Sequence, residues 1–144
     1  MIPAPETAGT LDTALAHAGR LLAANPALAA EQAEEIIKVV GPHPRALLLL
    51  ACARRRMGEA QAAVELLEPL CREQPRWAAA QLELGIALGQ LGRGKEAVAA
   101  LSRAAEASPT LPGVWRRLGD QLGLVGDETA SRIAYSRHVE ASIS

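Results

Sequence analysis

The sequence has very few aromatic residues: phenylalanine is absent, and the others in its 144 residues are Trp77, Trp115 and Tyr135. β-Sandwiches and barrels usually fill the space between their sheets with aromatic and β-branched side chains. Alanine and leucine predominate here instead, and hydrophobic residues make up 49% of the chain. A chain of this length can bury a substantial core in one domain. The composition therefore favours helices that pack closely through small side chains.

An excess of charge of one sign is also missing, because Lys+Arg number 15 and Asp+Glu number 16. Proteins that bind nucleic acid or a membrane surface usually carry a basic excess, so we expect neither partner. Long hydrophobic runs are absent as well. The most apolar window, 46–53, is too short to span a bilayer. The N-terminal stretch MIPAPETAGT has neither the basic region nor the apolar run of a signal peptide.

Residues that carry chemistry are scarce and scattered. Cys52 and Cys71 cannot form a disulfide framework, so we expect two small core or groove residues in a reducing cytoplasm. His17, His43 and His138 lie far apart, and none has a second plausible ligand three or four residues away. The sequence also offers no arrangement of a nucleophile and a base. It therefore predicts no catalytic residue, no metal site and no cofactor.

The sequence does contain an internal repeat. Gly58, Gly92 and Gly126 recur at one constant interval, a period of thirty-four. The same period relates the columns Leu50/Leu84/Leu118, Ala51/Gly85/Gly119, Ala63/Ala97/Ser131, Leu67/Leu101/Tyr135 and Pro75/Pro109. Apolar residues recur every three or four positions on both sides of each glycine, which predicts two helices joined by a turn. We expect the glycine to end the first helix with a positive φ.

These columns resemble those of the tetratricopeptide repeat (TPR) family, whose repeating unit has the same length. The resemblance places the repeats at 44–77, 78–111 and 112–144. Gln81 departs from the bulky residue preferred at its position, and Arg54 and His138 depart from apolar ones. The resemblance implies an all-α fold, a right-handed TPR superhelix (α-solenoid) of about eight antiparallel helices.

Residues 11–43 read as a divergent N-terminal helical pair, with helices at 11–25 and 28–40. Asn25-Pro26 is the expected turn, and Gly41-Pro42 is expected to end the second helix. The pair lacks the repeated glycine, and we expect it to cap the N-terminal end of the stack. Residues 1–10 are expected to be disordered, and the rest to form one continuous domain.

The stretch 87–97, ALGQLGRGKEA, contains the G-x-x-x-x-G-K of a phosphate-binding P-loop. A P-loop needs a β-strand before its glycines and a Ser or Thr after its lysine. Here the preceding residues have helical periodicity, and Glu96 follows Lys95. Gly92 also belongs to the repeated glycine column. The stretch therefore predicts a turn between helices and no nucleotide site.

The TPR resemblance implies that the first helix of each pair lines a concave inner surface. On these helices the stripe beside the core mixes apolar residues with arginines, which suit carboxylates because a guanidinium binds them bidentately. We predict a groove for an acidic-plus-apolar segment of another protein, with an ordinary solvated face as the alternative. The predicted protein-binding residues are Arg45, Leu49, Cys52, Arg56, Glu83, Ile86, Gln90, Arg116, Arg117, Asp120 and Leu124.

The predicted function is a non-enzymatic protein–protein interaction module. A looser resemblance suggests an alternative: the run 21–58, with LGDQLGLVGD (118–127) and YSRHVEAS (135–142), is similar to N-terminal repeats of bacterial TPR–sulfotransferase-type proteins. It implies a non-catalytic adaptor region of a larger bacterial enzyme.

The last predicted helix, ETASRIAYSRHVEASIS, has no polar cap after it. We expect Ile133, Ala134, Tyr135 and Val139 to face solvent in part. This pattern predicts either a homodimer through that helix or further protein beyond it.

Overall fold

The computed structural model describes residues 7–143, which form eight α-helices and no β-strand. This confirms the predicted all-α class. The helices are α1 (Thr7–Ala24), α2 (Pro26–Val40), α3 (Pro44–Arg56), α4 (Ala60–Glu73), α5 (Ala78–Gln90), α6 (Gly94–Ala107), α7 (Val114–Leu124) and α8 (Glu128–Ile143).

The chain divides into two compact units, Met1–Leu66 and Leu67–Ser144. The boundary lies within α4, the second helix of the predicted 44–77 repeat. The predicted repeat bounds, the single continuous domain and the right-handed superhelical course concern the whole chain and stay predictions.

In the first unit, α1, α2 and α3 pack through alanines and a few larger side chains. One cluster comprises Ala29, Ala30, Ala33, Leu50 and Ala53, and a second comprises Leu15, Ile36 and Ala46. Alanines bring helix backbones close together, so a small number of leucines and isoleucines fills the remaining space.

The N-terminal helices begin earlier than the sequence pattern indicates. α1 starts at Thr7, before the first periodic apolar residue at Leu11, so it includes the last four residues of the stretch 1–10. The expectation of disorder for residues 1–6 lies outside the described residues. α2 starts at Pro26, because Asn25 Oδ1 accepts a hydrogen bond from the Leu28 N–H at 3.1 Å and caps the helix.

Arg54 departs from an otherwise apolar column because its side chain forms ion pairs with α2 and with the turn after α3. Its guanidinium lies 3.2 Å from Glu34 Oε2 on α2 and 3.4 Å from Glu59 Oε2 at the turn before α4. The side chain is half-buried, so these carboxylates compensate a partly desolvated charge.

The three repeated glycines all have positive φ, as predicted: 84° at Gly58, 75° at Gly92 and 93° at Gly126. Each turn makes the same pair of hydrogen bonds. At Gly92, its N–H donates to Gly89 O at 3.0 Å and the Arg93 N–H donates to Leu88 O at 2.9 Å. This is the Schellman arrangement, which satisfies the last carbonyls of the helix before the chain reverses.

In the second unit, the core runs through α6, α7 and α8, with the buried residues Leu101, Ala104, Ala105, Val114, Leu118 and Ala134. The two helical hairpins α5–α6 and α7–α8 use the same close contact. A Cβ on Gly85 would lie 2.5 Å from Leu101 Cγ, and one on Gly119 would lie 2.9 Å from the Tyr135 ring. In each hairpin, the small residue on the first helix therefore makes room for the large residue on the second helix.

Gln81 replaces a bulky residue but keeps a repeated hydrogen bond. Gln81 Nε2 donates to Pro75 O at 3.1 Å, and Trp115 Nε1, one repeat later, donates to Pro109 O at 2.7 Å. An amide and an indole N–H thus perform the same task, since each reaches the carbonyl of the proline that precedes its helix.

The P-loop-like stretch lies where the turn was expected. Helix α5, not a strand, precedes the glycines, and α6 begins at Gly94. Glu96 accepts a hydrogen bond from Arg93 Nη2 at 2.6 Å, so a carboxylate already occupies the N-terminal turn of α6. This arrangement confirms the prediction of an inter-helix turn.

A candidate protein-binding cleft

A cleft of about 210 Å³ opens between α5 and α7 in the second unit. It is lined by Gly85, Ile86, Gly89, Gln90, Leu101, Arg117, Asp120 and Gln121. The structure therefore brings together four of the residues predicted from sequence: Ile86, Gln90, Arg117 and Asp120.

The floor of the cleft is apolar and its rim is polar. Ile86 and Leu101 are buried, whereas Gln90 is exposed and Arg117 and Asp120 are half-buried. Such a combination can bury an apolar side chain and hydrogen-bond a neighbouring polar group.

Two glycines on α5, one helical turn apart, shape this cleft. A Cβ on Gly89 would lie 2.6 Å from Gln121 Nε2, so the Gln121 amide can lie directly over the α5 backbone. Gly85 makes the corresponding room for Leu101. Sequence reasoning missed Gly89 and Gln121 as site residues, and the only available signal was the i, i+4 spacing of the two glycines.

Asp120 is held in place by residues of two helices. Its Oδ1 accepts a hydrogen bond from the Tyr135 hydroxyl on α8, and its Oδ2 lies 3.5 Å from Arg116 Nη1 on its own helix. The hydrogen bond to Asp120 raises the pKa of Tyr135 above its usual value, and desolvation acts in the same direction. The sequence placed Tyr135 partly in solvent and did not reveal this polar link. The same expectation was wrong for Ala134, which is buried in the core of this unit.

The other predicted residues of the second unit lie beside the cleft. Arg116 is exposed on α7 next to Asp120, and Glu83 is half-buried on α5 without lining the cleft. Leu124, at the end of α7, is 78% exposed.

In the first unit, the predicted stripe on α3 is largely used for packing. Leu49 packs against both hydrophobic clusters and lies 3.8 Å from the position of a Cβ on Gly19, and Cys52 is buried. Arg45 Nη1 lies 3.5 Å from Asp12 Oδ1 on α1. Arg56 is exposed at the end of α3. The leucine and cysteine therefore contribute mainly to the interior of this unit.

The remaining chemistry of the described residues gives no sign of a second kind of site. Residues 7–143 contain no group of three or more His, Cys, Asp or Glu side chains that could hold a metal ion. Burial raises the pKa of the Cys71 thiol to about 11, so this thiol stays protonated and unreactive at neutral pH. None of the described helices is long and apolar enough to cross a membrane.

The match to a protein family covers part of the second unit. The family model for the tetratricopeptide repeat matches residues 78–120, the segment that carries nearly the whole cleft. No curated protein matches the sequence.

Solved structures of proteins named MamA have a similar fold. One aligns with a TM-score of 0.77 at 18% identity, over 92% of this chain and 78% of its own. MamA from Desulfovibrio magneticus RS-1, residue 41 to the end, aligns with a TM-score of 0.79 at 16% identity, over 92% of this chain and 75% of that one. A MamA structure labelled AMB-1 aligns with a TM-score of 0.70 at 20% identity, over 90% and 72%.

These likenesses confirm the all-α solenoid fold. Because the sequence identities are low, they show the fold alone. The family match is limited to residues 78–120, so it identifies a tetratricopeptide repeat in that segment. Neither comparison supports the looser resemblance to sulfotransferase-type proteins.

Proposed function

We propose that this chain is a non-enzymatic protein–protein interaction module that binds an acidic-plus-apolar segment of another protein between α5 and α7. The observation that carries the proposal is the cleft itself. Arg117 and Asp120 on one helix and Ile86 on another line a single opening over an apolar floor. The TPR match over 78–120 supports the general class.

The size of the cleft supports a peptide over a small molecule. Pockets for drug-sized ligands usually enclose roughly 300–1,000 Å³. The volume here is about 210 Å³, which suits one inserted side chain of a longer segment. We expect that segment to run along the surface, with an apolar residue as its anchor.

The polar residues at the rim of the cleft favour a peptide with an acidic residue next to its apolar anchor. Arg117 has five N–H donors, so it can bind a carboxylate in addition to the interactions it makes within the chain. The amides of Gln90 and Gln121 add further donors. Asp120 faces Tyr135 and Arg116, which partly offset its negative charge.

Selection from a displayed library of random peptides tests this function. We expect peptides enriched on the immobilised chain to combine Asp or Glu with Leu, Ile or Val. Arg117→Glu should weaken the enriched peptides at least about tenfold, because the new carboxylate repels theirs and the donors are lost. The matched control is Arg103→Glu, an exposed arginine on α6 outside the cleft. Enriched peptides without acidic residues, or equal effects of both variants, would contradict the proposal.

The alternative function is a non-catalytic adaptor region of a larger bacterial sulfotransferase-type enzyme. It shares with the first proposal a cytoplasmic setting and the absence of catalysis in these residues. The full reading frame separates the two, since the alternative requires a transferase domain in the same polypeptide.

We also propose a second copy of the chain as a partner, through α8. The exposure of Ile133, Val139 and Ile143 supports this, because three large apolar residues on one helix are costly to leave in water.

A further inference from the structure

The outer face of α8 is a stripe of exposed residues: Arg132, Ile133, Ser136, Val139, Glu140 and Ile143. Arg132, Ser136, Val139 and Ile143 follow the i, i+4, i+7, i+11 spacing, so they share one side of the helix. Ile143 is 80% exposed and Val139 55%. Three of these six residues are apolar, and Arg132 and Glu140 add one charge of each sign.

The internal repeat allows Val139 on this face of α8 to be compared with the equivalent residue of the preceding repeat. Val139 on α8 occupies the same repeat position as Ala105 on α6, one full period earlier. Ala105 is 2% exposed and belongs to the cluster that joins α6 to α7. The matching position on α8 is larger, apolar and exposed, so α8 presents a surface of the kind that receives another helix.

The charges on this face are arranged symmetrically about Ser136. Arg132 lies four residues before it and Glu140 four residues after it, while Ile133 and Val139 lie three residues before and after. An isologous interface needs a surface that complements itself. An antiparallel pair of α8 helices that cross at Ser136 sets Arg132 of each copy level with Glu140 of the other, twice.

Ser136 is suited to the crossing point. Its side chain is small, and its hydroxyl already donates to Arg132 O at 3.0 Å within the helix. The crossing therefore leaves no hydroxyl in need of a new partner, and the two backbones can approach closely.

We propose that two copies of this chain pair through antiparallel α8 helices, centred on Ser136 and held in register by two symmetric Arg132–Glu140 ion pairs. The proposal rests on the proposed self-association and specifies its geometry. One helix pair buries well below the ~1,200 Å² of a standard interface, so we expect a dimer with a dissociation constant in the micromolar range or weaker.

Sedimentation equilibrium of the full chain, from micromolar to millimolar concentration, tests the register by charge reversal. Arg132→Glu and Glu140→Arg each place like charges opposite one another twice, so each should raise the dimer Kd at least about tenfold. The double variant restores opposite charges and should return the Kd to within about threefold of the wild type. Circular dichroism confirms that each variant is folded.

The outcomes separate the register from the self-association. A wild-type chain that stays monomeric up to millimolar concentration overturns both. A dimer whose Kd is unchanged by the single reversals, or not restored by the double variant, overturns the register and leaves a dimer through α8 or another surface.

A cysteine at the crossing point gives an independent test. Ser136→Cys should form an intermolecular disulfide under mild oxidation, because a residue on the two-fold axis faces its own copy. The native Cys52 and Cys71 are buried and should not compete. Glu106→Cys, exposed on α6, is the control. Equal rates of crosslinking in the two variants would overturn the pairing.

Discussion

At the scale of single residues, two kinds of glycine serve different purposes. Gly58, Gly92 and Gly126 adopt positive φ, where other residues are strained. Gly85 and Gly119 have no such requirement and are small because Leu101 and Tyr135 pack against them. The repeat period revealed both columns, but only the structure separates backbone geometry from packing.

Replacing Gly85 by alanine should destabilise the fold by about 1–3 kcal/mol, since the new methyl group overlaps Leu101 and the Ala97 carbonyl. Gly123→Ala is the matched control. Its Cβ would lie 3.4 Å from Ser131 Oγ, an ordinary contact, and alanine favours helix by about 1 kcal/mol. Urea denaturation followed by circular dichroism measures both. Similar losses in the two variants would show that the close Gly85–Leu101 contact does not limit the packing.

The single tyrosine reports on the Asp120 link through its titration. The pKa of Tyr135 is raised above 10.0 because its hydroxyl donates to the Asp120 carboxylate, which favours the neutral phenol. The hydrogen bond therefore adds stability below pH 10.0, and that stability is lost as pH rises through the folded pKa. Tyrosinate absorbance should show a midpoint above 10.0 in the wild type and closer to 10.0 in Asp120→Asn. Identical midpoints would mean that the link is absent in solution.

At the scale of helices and turns, the repeat period carries most of the predictable information. Hydrophobic spacing, the glycine column and the prolines locate six helices between residues 44 and 143, because these signals depend on local sequence. Helix starts were less accurate. Leu11 opens the apolar pattern, but polar and small residues before it extend α1 back to Thr7.

Gly92→Ala tests the contribution of the turn between α5 and α6. Its φ of 75° costs a residue with a Cβ about 1–2 kcal/mol, so the variant should lose that much stability in urea denaturation. Gly94→Ala is not a suitable control, because its Cβ would lie 2.7 Å from Val125 Cγ1. Ala99→Gly, on α6, measures the ordinary effect of a helix glycine for comparison. A fully stable Gly92→Ala variant would show that the turn tolerates a different conformation.

At the scale of the whole molecule, the residues of the predicted surface have different surroundings in the two units. In the first unit, the predicted Leu49 packs against α1, because Gly19 leaves room for its side chain. The predicted Cys52 is buried. In the second unit, Ile86 and Arg117 do meet at one cleft. Helical spacing gives the side of a helix that a residue occupies, but not how closely the next helix approaches.

The same limit explains the residues that sequence reasoning missed. Gln121 enters the cleft because Gly89 leaves room for its amide, and Tyr135 reaches Asp120 from the neighbouring helix. Both relationships depend on the separation between helices. The repeat period does not determine the separation between the helices, which depends on how their side chains pack in the folded chain.

Amide chemical-shift mapping tests the central claim most directly. A peptide enriched on the chain, titrated into isotopically labelled full-length protein, should perturb residues 85–90 on α5 and 117–121 on α7 first and most strongly. The Arg117→Glu variant should show little perturbation at the same peptide concentration. Shifts confined to the first unit or to α8, with α5 and α7 unchanged, would contradict the account.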